Sequence, residues 1–486
     1  MSRAVFHPRQ SFEPQGGYRL LPFRFESFDS SRRIVANDAG AYHLLTNDEF
    51  ERFVSHRLQP GEEVYLDLKG KHFLFDSASL VPFELTAAAY RTRKSFLRDF
   101  TQLHIFVVTL RCEHSCHYCQ VSRVSSDRAR YDMSNDTAER ALDLAFRSPA
   151  QSLKIELQGG EPLLHFDAVR TIILSARRRA AAAGKRVEFV VTSNLALLDD
   201  VMLALFAEHD VALSTSLDGP ASLHDANRPR PERNSHALAV AGIERARAVL
   251  GQDRVAALMT ASRASLSNPR EVIDEYVRLG FHSIFLRSLS PYGFAVKSGA
   301  RIGYSSAEFV AFYEEALDYL IELNATGIPI AETYAQILLT RILTPFATGY
   351  VDLQSPAGAG FGAVVYNYDG DVYVSDEARM LAEMNDHQFR LGNVHRDDYA
   401  TIFGGEVLRK LAAGSIVESL PGCADCAYQS YCGADPVFRY ATQGDVIGHR
   451  AFDDFHKKNY ALIRLLIRRY ESSELARTVF RSWIAA

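Results

Sequence analysis

Short apolar runs rich in β-branched residues alternate with amphipathic stretches from Leu103 onward, and this alternation limits the possible folds more than any other feature. Six of the runs have the length and composition of strands: HIFVVTL from His104, LKIEL from Leu153, VEFVV from Val187, VALSTS from Val211, VAALMT from Val255 and SIFL from Ser283. The pattern predicts an α/β fold over residues 96–305, an open (β/α)6 partial TIM barrel. Because chemistry in such folds gathers where the strands end, we expect functional residues directly after these runs.

The helix predicted between the first two strands has both a start signal and a buried face. Ser134 is an N-cap residue. The residues after it place an apolar stripe at helical spacing, made of Ala138, Ala141, Leu142 and Ala145.

The chain on either side of the barrel has a different pattern. Residues 1–95 predict a small α+β module, with strands in YRLLPFRF and RIVAND, a helix over 47–54 and a strand pair near Val64 and Phe73. Residues 306–486 begin with a helical stretch that ends near Leu343. Asp369-Gly370, between alternating apolar residues, then predicts a hairpin.

All six cysteines fall into two groups of three, Cys112, Cys116 and Cys119 and then Cys423, Cys426 and Cys432. Such grouping indicates metal binding in a reducing compartment rather than a disulfide framework. The first group, CxxxCxxC between a strand and a helix, would let three thiolates hold three irons of a [4Fe-4S] cluster and leave the fourth iron open. A zinc loop with His114 or His117 as fourth ligand is the alternative.

Composition excludes several classes of function. The 486 residues are 47% hydrophobic and 23% charged, which is typical of a globular protein of two or three domains. A formal charge of -5 gives no electrostatic footprint for nucleic acid. With no apolar run of about 18 residues and no secretory h-region, we expect a cytoplasmic protein without a membrane partner.

Several strand ends together resemble the radical S-adenosylmethionine (SAM) superfamily, and the resemblance covers the barrel. The segments are RCEHSCHYCQ, LQGGEPLL, TSNLALL and STSLDGP with HDANRP. The resemblance implies that Tyr118 lies beside the SAM adenine and that Gly159, Gly160 and Glu161 engage the methionine ammonium group. It further implies SAM contacts by Ser216 and Arg228, with Ser193 and Asn194 as additional candidates.

The chemistry of this superfamily is implied by the same resemblance. SAM would chelate the open iron through its amino and carboxylate groups. One electron from an external donor would cleave it to methionine and a 5'-deoxyadenosyl radical, which takes a hydrogen atom from the substrate. The protein's part is to position the reactants and exclude water.

The second cysteine group, CADCAYQSYC, resembles part of a SPASM auxiliary-cluster domain. Pro436, Ser375 and Ser355 stand where further cysteines would be expected. The resemblance therefore implies one auxiliary [4Fe-4S] cluster on Cys423, Cys426 and Cys432, with His456 as its fourth ligand. A surface histidine, an iron open to substrate and a zinc knuckle are the alternatives.

Asp376 follows Ser375 at the position where sulfatase maturases carry a catalytic proton acceptor, and the resemblance implies that role here. A strand-end aspartate that pairs or caps the next segment is the alternative.

Over most of its length the chain resembles the B-type radical SAM maturase of His-Xaa-Ser repeat systems. The implied substrate is a small precursor protein with such repeats, processed with a companion radical SAM protein and a small accessory protein. The N-terminal module would capture the precursor by strand addition, or simply cover the barrel. The alternatives are another SPASM-type enzyme (a sulfatase maturase or a thioether or carbon–carbon crosslinking peptide maturase) and a non-catalytic zinc-bound peptide scaffold.

Overall fold

The computed structural model describes Pro8, Gln10 and residues 17–119 and 127–485. Gln120, the last residue of the cysteine motif, lies outside them. A nine-stranded sheet organises the chain, in the order β12-β10-β9-β8-β7-β6-β14-β15-β16 defined below. Within the described ranges, no helix combines the length and apolar character needed to cross a bilayer.

The N-terminal module has a core of its own, in which Val35, Phe53 and Leu68 are fully buried. Strands β2, β3 and β4 form an antiparallel sheet, and β1 pairs with β5. Its elements are β1 (Arg19–Leu20), β2 (Arg24–Ser27), β3 (Arg32–Ala36), β4 (Tyr42–Thr46), α1 (Asn47–Val54), α2 (Glu63–Gly70), β5 (Leu74–Phe75) and α3 (Val81–Arg93).

The strand predicted near Val64 is wrong, because Val64 lies in helix α2. Tyr65 and Leu68, three residues apart, are the buried side chains of this segment, and that spacing belongs to a helix. The predicted helix over 47–54 is confirmed. Its N-cap, Thr46, forms a reciprocal capping box with Glu49.

The six predicted barrel strands are confirmed as consecutive parallel neighbours. The last of them is divided in two, and only its second half, β12, joins the barrel sheet, whereas β11 pairs with β13. The elements are β6 (Leu103–Thr109), α4 (Arg128–Tyr131), α5 (Asn135–Ala145), β7 (Ser152–Gly159), α6 (Phe166–Ala183), β8 (Arg186–Thr192), α7 (Asp200–Glu208), β9 (Val211–Ser216), α8 (Ala221–Asn227), α9 (Ser235–Leu250), β10 (Val255–Thr260), α10 (Pro269–Arg278), β11 (Ser283–Ile284) and β12 (Leu286–Arg287).

Helix α5 confirms both sequence signals that predicted it. The Ser134 hydroxyl accepts a hydrogen bond of 3.1 Å from the backbone N–H of Thr137. The predicted stripe of three alanines and a leucine is buried against the sheet.

The sheet continues beyond residue 305, the boundary predicted between the barrel and the C-terminal region. Strand β14 pairs in parallel with β6, and the predicted hairpin is confirmed as β14-β15, with Gly370 at a φ of 87° in its turn. The elements are α11 (Phe294–Ile302), α12 (Ser306–Ala325), β13 (Ala331–Glu332), α13 (Thr333–Leu343), β14 (Ala363–Tyr366), β15 (Asp371–Tyr373), α14 (Asp376–Ala382), β16 (Arg390–Asn393), α15 (Tyr399–Gly404), α16 (Glu406–Ala413), α17 (Pro436–Gln443), α18 (Asp454–Ser472) and α19 (Glu474–Ala485).

Gly159 and Gly160, at the end of β7, allow the backbone to pack directly on the start of the cysteine loop. A Cβ at Gly159 would lie 2.3 Å from the carbonyl oxygen of Thr109, and one at Gly160 would lie 2.2 Å from that of Arg111. The two strand ends are therefore fixed against each other by backbone contact that a side chain would prevent.

We expect Gly160→Ala to lower the free energy of unfolding by roughly 3 kcal/mol, as overpacking of a close-packed site does. Gly70→Ala is the matched control, because a Cβ there meets no atom within 4 Å. Urea unfolding followed by circular dichroism measures both variants. Equal midpoints for the two variants would contradict this account of the packing.

Candidate functional site

The first cysteine loop lies at the carboxyl end of β6, as predicted, and is held by backbone hydrogen bonds to other loops. The N–H of Ser115 donates to Pro229 O at 3.0 Å, and that of His117 donates to Asn227 O at 3.1 Å. The carbonyl of Cys119 accepts from the N–H of Phe294, which begins α11, at 2.9 Å. The loop is thus fixed at both its middle and its end.

The three cysteines of this loop form no disulfide, and their thiols influence one another electrostatically. Burial raises the pKa of Cys116 to about 12, and the neighbouring Cys119 adds to the rise. Burial likewise raises the pKa of Cys112 above its ordinary value. Such thiols ionise when a metal supplies positive charge, which is the chemistry expected of cluster ligands.

The separation of the thiols bears on the choice between zinc and an iron–sulfur cluster. Sulfur ligands at about 2.3 Å from a tetrahedral zinc lie roughly 3.8 Å apart. In the described part of the chain, neither group of three cysteines comes within 4.8 Å mutually. Only Cys112, Glu113 and His114 bring their ligand atoms that close. Neither triad is therefore drawn together at zinc-ligand distances within the described residues, and both zinc and the cluster stay predictions.

Glu161, predicted to engage SAM, is a buried hydrogen-bond acceptor that joins two strand ends. It is 1% exposed. Its carboxylate accepts from Leu163 N at 3.0 Å, Ser193 Oγ at 2.8 Å and Asn194 N at 2.8 Å. Burial, followed by the charge of Glu113, raises its pKa to about 8. A positive group nearby would favour the ionised form, which is compatible with the predicted contact to an ammonium group.

Asn194 connects this network to the cysteine loop. Its Nδ2 donates to Glu113 Oε1 at 2.8 Å and lies 2.9 Å from His114 Nδ1. His114 is 3% exposed, and its Nδ1 also lies 3.0 Å from Glu113 Oε1. The structure thus brings Ser193 and Asn194 together with Glu161 and the cysteine loop, while their contact with SAM stays a prediction.

A second buried network connects the cysteine loop to the end of β9. Arg228 donates from Nε to Asp218 Oδ2 at 3.1 Å, and its guanidinium carbon lies 5.2 Å from the ring centroid of Tyr118. The Tyr118 hydroxyl donates to the same carboxylate. Burial opposes charge on Asp218, yet Arg228 keeps its pKa below the ordinary value. The two predicted SAM-binding residues are therefore positioned by a shared aspartate.

The sequence interpretation missed Asp218. Its signal was available, because an acidic residue directly after a buried strand of the barrel lies at the edge where chemistry gathers. Ser216, the predicted SAM contact two residues earlier, is half-buried at the end of β9.

The second cysteine group lies between α16 and α17, and its members likewise form no disulfide. Burial, followed by Cys423, raises the pKa of Cys432 to about 12. Burial and the neighbouring Glu26 raise that of Cys426. Glu26 belongs to β2 of the N-terminal module, so sequence spacing gave no sign that it would approach this loop.

His456, the predicted fourth ligand, lies half-buried in the first turn of α18. Two polar contacts connect this turn to the cysteine group. Asp453, near His456 in the chain, accepts from Arg439 Nε at 2.7 Å, and Arg439 Nη2 lies 3.9 Å from Cys423 Sγ. Burial, followed by Arg450, lowers the pKa of His456. A neutral imidazole is the form that binds metal, so this environment is compatible with the predicted ligation.

The serines found at expected cysteine positions have structural roles. Ser355 accepts from the N–H of Val417 at 3.1 Å, and its hydroxyl donates to Glu418. Ser375 caps α14 by accepting from Ala378 N at 3.2 Å. Pro436 occupies the first turn of α17. All three residues thus take part in local structure at the positions where cysteines were expected.

A cavity of about 380 Å³ lies between the two cysteine groups. Leu289 and Ala295 line it and also pack against Tyr118 and Cys116. On the other side, the lining includes Asp435, three residues beyond the last cysteine of the second group. A molecule bound in this cavity would therefore lie between the two cysteine groups.

Asp376, the predicted proton acceptor, accepts a hydrogen bond of 2.9 Å from Arg379 Nε and is not one of the lining residues. The adjacent Glu377 lines the cavity instead.

Comparison with known proteins agrees with the fold. Residues 106–261 match the family model of the Radical SAM superfamily. Together with the parallel strands of the barrel, this match defines the chain as having the mixed α/β radical SAM fold, as predicted. That superfamily implies a [4Fe-4S] cluster and SAM.

Two relatives are informative. The chain is 25% identical over 351 residues to an uncharacterized protein of Synechocystis sp., a match covering 68% of this chain and 83% of that protein. It is also 25% identical over 195 residues to the serine-type anaerobic sulfatase-maturating enzyme of Klebsiella aerogenes. That match covers 39% of this chain and 47% of the enzyme, so it spans about half of the enzyme's length.

Solved structures of similar fold include native anSMEcpe with bound AdoMet, with a TM-score of 0.62 at 16% identity, covering 78% of this chain and 100% of that one. Streptococcus suis SuiB bound to S-adenosylmethionine gives 0.53 at 15% identity, covering 90% and 100%. SuiB bound to its precursor peptide SuiA gives 0.50 at 15% identity, covering 85% and 94%. At these identities the likeness concerns the fold alone.

We expect Arg228→Ala to lower the free energy of unfolding by roughly 3–5 kcal/mol, because it leaves the buried Asp218 carboxylate unpaired. The double variant with Asp218→Asn should recover part of that loss. Arg263→Ala, which breaks an exposed pair with Glu308, should cost less than about 1 kcal/mol. Urea unfolding compares the four proteins, and a double variant no more stable than Arg228→Ala would argue against the coupling.

We expect His456→Ala to lose the iron and sulfide of one cluster after anaerobic reconstitution, because an incomplete ligand set holds a cluster poorly. Lys457→Ala, at the next position of the same helix, is the control and should keep both clusters. Iron, sulfide and Mössbauer measurements decide the question. Unchanged cluster content in His456→Ala would remove this ligand assignment.

Proposed function

We propose that this chain is a radical SAM maturase that reductively cleaves S-adenosylmethionine and modifies a ribosomally made peptide or protein, one with His-Xaa-Ser repeats. The cavity between the two cysteine groups carries the proposal. Leu289 and Ala295 line it and belong to the same apolar cluster as Tyr118 and Cys116. A substrate held there would lie next to the place where the superfamily forms its radical.

The comparisons support a peptide as substrate class. SuiB is found with its precursor peptide, and the Klebsiella protein is named for maturing a sulfatase. A cavity of about 380 Å³ is large enough for a side chain and part of its backbone, but not for a folded protein. The substrate would then enter as an extended segment or a loop.

The residues of the first loop would divide the work around the cofactors. Cys112, Cys116 and Cys119 would hold the [4Fe-4S] cluster, which supplies the electron that cleaves SAM. Tyr118 and Arg228 are held in place by Asp218 and would contact the nucleoside. Glu161 and its partners hold the strand ends together at the carboxyl edge of the sheet. A fixed arrangement there would keep the substrate positioned next to the radical.

The remaining assignments extend the same proposal. Cys423, Cys426, Cys432 and His456 would bind an auxiliary [4Fe-4S] cluster, and Asp376, one residue before Glu377 of the cavity lining, would serve as a proton acceptor. The domains would be an N-terminal module over 1–95, the barrel over 96–305 and the cluster domain over 306–486. The protein would act in the cytoplasm with an external electron donor, a companion radical SAM protein and a small accessory protein.

We expect Cys116→Ala to abolish formation of 5'-deoxyadenosine from SAM and dithionite, because the loop then lacks a cluster ligand. Ser115→Ala is the control, since its exposed side chain lies in the same loop and should leave the product yield unchanged. Anaerobic incubation followed by chromatography measures the yield. Normal cleavage by Cys116→Ala would overturn the proposal, and zinc without iron or sulfide would identify a non-catalytic scaffold.

The same incubation with peptides identifies the class of maturase. A His-Xaa-Ser repeat peptide that loses two hydrogens supports the proposed substrate. Modification of a sulfatase-derived serine peptide, with the repeat peptide untouched, would favour a sulfatase maturase, to which the Klebsiella relative points.

A further inference from the structure

The cavity contains more acidic than basic groups. Four acidic residues line it: Asp352, Glu377 and Asp435 in its interior, and Asp454, whose exposed carboxylate pairs with Lys457 at 2.9 Å. Two basic side chains face them, Arg287 and Lys458. Lys458 Nζ donates to Ser288 Oγ at 3.0 Å, and an Arg287 Nη2 lies 4.0 Å from Glu377. The interior therefore has one carboxyl group more than it has cations.

The carboxyl groups affect one another because they share a poorly solvated space. Burial raises the pKa of Glu377 to about 7, and Asp352 adds to the rise. Burial and the same neighbour raise the pKa of Asp435. Arg287 and Lys458 offset part of this effect, and further positive charge entering the cavity would favour the ionised form of all three groups.

Tyr292 supplies an independent sign of a ligand. It lines the cavity and is 1% exposed, yet its hydroxyl has no hydrogen-bond partner within the described protein. The same three carboxyl groups act electrostatically on its phenol and raise its pKa further above the ordinary value. A buried hydroxyl without a partner is destabilising. A guest with N–H donors could satisfy its oxygen and the carboxylates at once.

The aromatic wall of the cavity also suits a cation. Lys458 Nζ lies 5.5 Å from the ring centroid of Tyr334 and 5.7 Å from that of Phe455. These are distances at which an ammonium group is attracted to the face of a ring. The wall thus already accommodates one positive group of the chain.

We propose that this cavity is a cation subsite, in which Glu377, Asp435 and the Tyr292 hydroxyl bind a protonated basic side chain of the peptide substrate. The inference rests on the proposed function, since it takes the cavity as the place of the peptide. An anionic guest would meet three carboxyl groups. A neutral apolar guest would leave the hydroxyl unpaired, and sites built for hydrogen bonding discriminate strongly against such analogues.

The test measures binding of N-acetylated, amidated Gly-Gly-X-Gly-Gly peptides to the reconstituted holoenzyme by anaerobic saturation-transfer NMR. Lysine is compared with norleucine, and arginine with citrulline, so that each pair differs chiefly in charge. Histidine is a further arm that shows which cation binds best. We expect each charged peptide to bind at least tenfold more tightly than its neutral counterpart.

Two variants test the named groups. Glu377→Gln should reduce the preference for lysine over norleucine about tenfold or more, and Tyr292→Phe should reduce it by a smaller factor. Tyr292→Phe should also melt no lower than the wild type, because it removes an unpaired buried hydroxyl; a purely structural role would lower the melting temperature. Glu383→Gln is the matched control, since Glu383 ends the same helix outside the cavity lining.

Equal binding of lysine and norleucine peptides by the wild type would overturn the subsite, as would a preference that survives in both variants. Failure to bind the lysine peptide at all would also count against it. Formation of 5'-deoxyadenosine is measured in the same preparations. Normal cleavage without a charge preference overturns the subsite alone, whereas absence of both iron and cleavage overturns the proposed function.

Discussion

The buried carboxylate of Glu161 is the interaction on which the arrangement of the site depends. It accepts hydrogen bonds from Ser193 and Asn194 after β8, while its own N–H donates to Arg111 O at 2.7 Å in the cysteine loop. A buried polar group is expensive unless it is hydrogen-bonded, so these strand ends gain from staying together. Asn194 then extends the connection to Glu113. Three consecutive strand ends are thus connected through one residue, by its side chain and its backbone N–H together.

Local sequence signals predicted the barrel well, because each strand is a buried apolar run and its neighbours in the sheet are also its neighbours along the chain. The same signals failed at α2, where a short apolar segment fits either period. They also could not show which of two adjacent acidic residues would face the cavity. Asp376 and Glu377 are one position apart, and a helix turns about 100° between them, so only the observed start of α14 shows which one faces the cavity.

Local sequence signals could not predict contacts between distant parts of the chain. Glu26 accepts from Ala427 N at 3.3 Å, and the Ser430 hydroxyl donates to Asn37 O at 2.9 Å. Tyr431 likewise donates to Gly40 O at 3.1 Å. The N-terminal module therefore packs on the second cysteine loop along several residues. These contacts show that the N-terminal module covers the second cysteine loop, while capture of a precursor peptide by strand addition stays a prediction.

The incomplete second cysteine group and the shape of the cavity have a common origin in the sequence. Serine is a strong N-cap residue, and Ser375 begins α14 in this way. A cysteine at this position would offer sulfur, a weaker acceptor than the serine hydroxyl, to the Ala378 N–H that starts the helix. Because the helix starts there, Asp376 pairs with Arg379 one turn later and Glu377 lines the cavity. The position that lacks a cluster ligand thus determines which carboxyl group a substrate would meet.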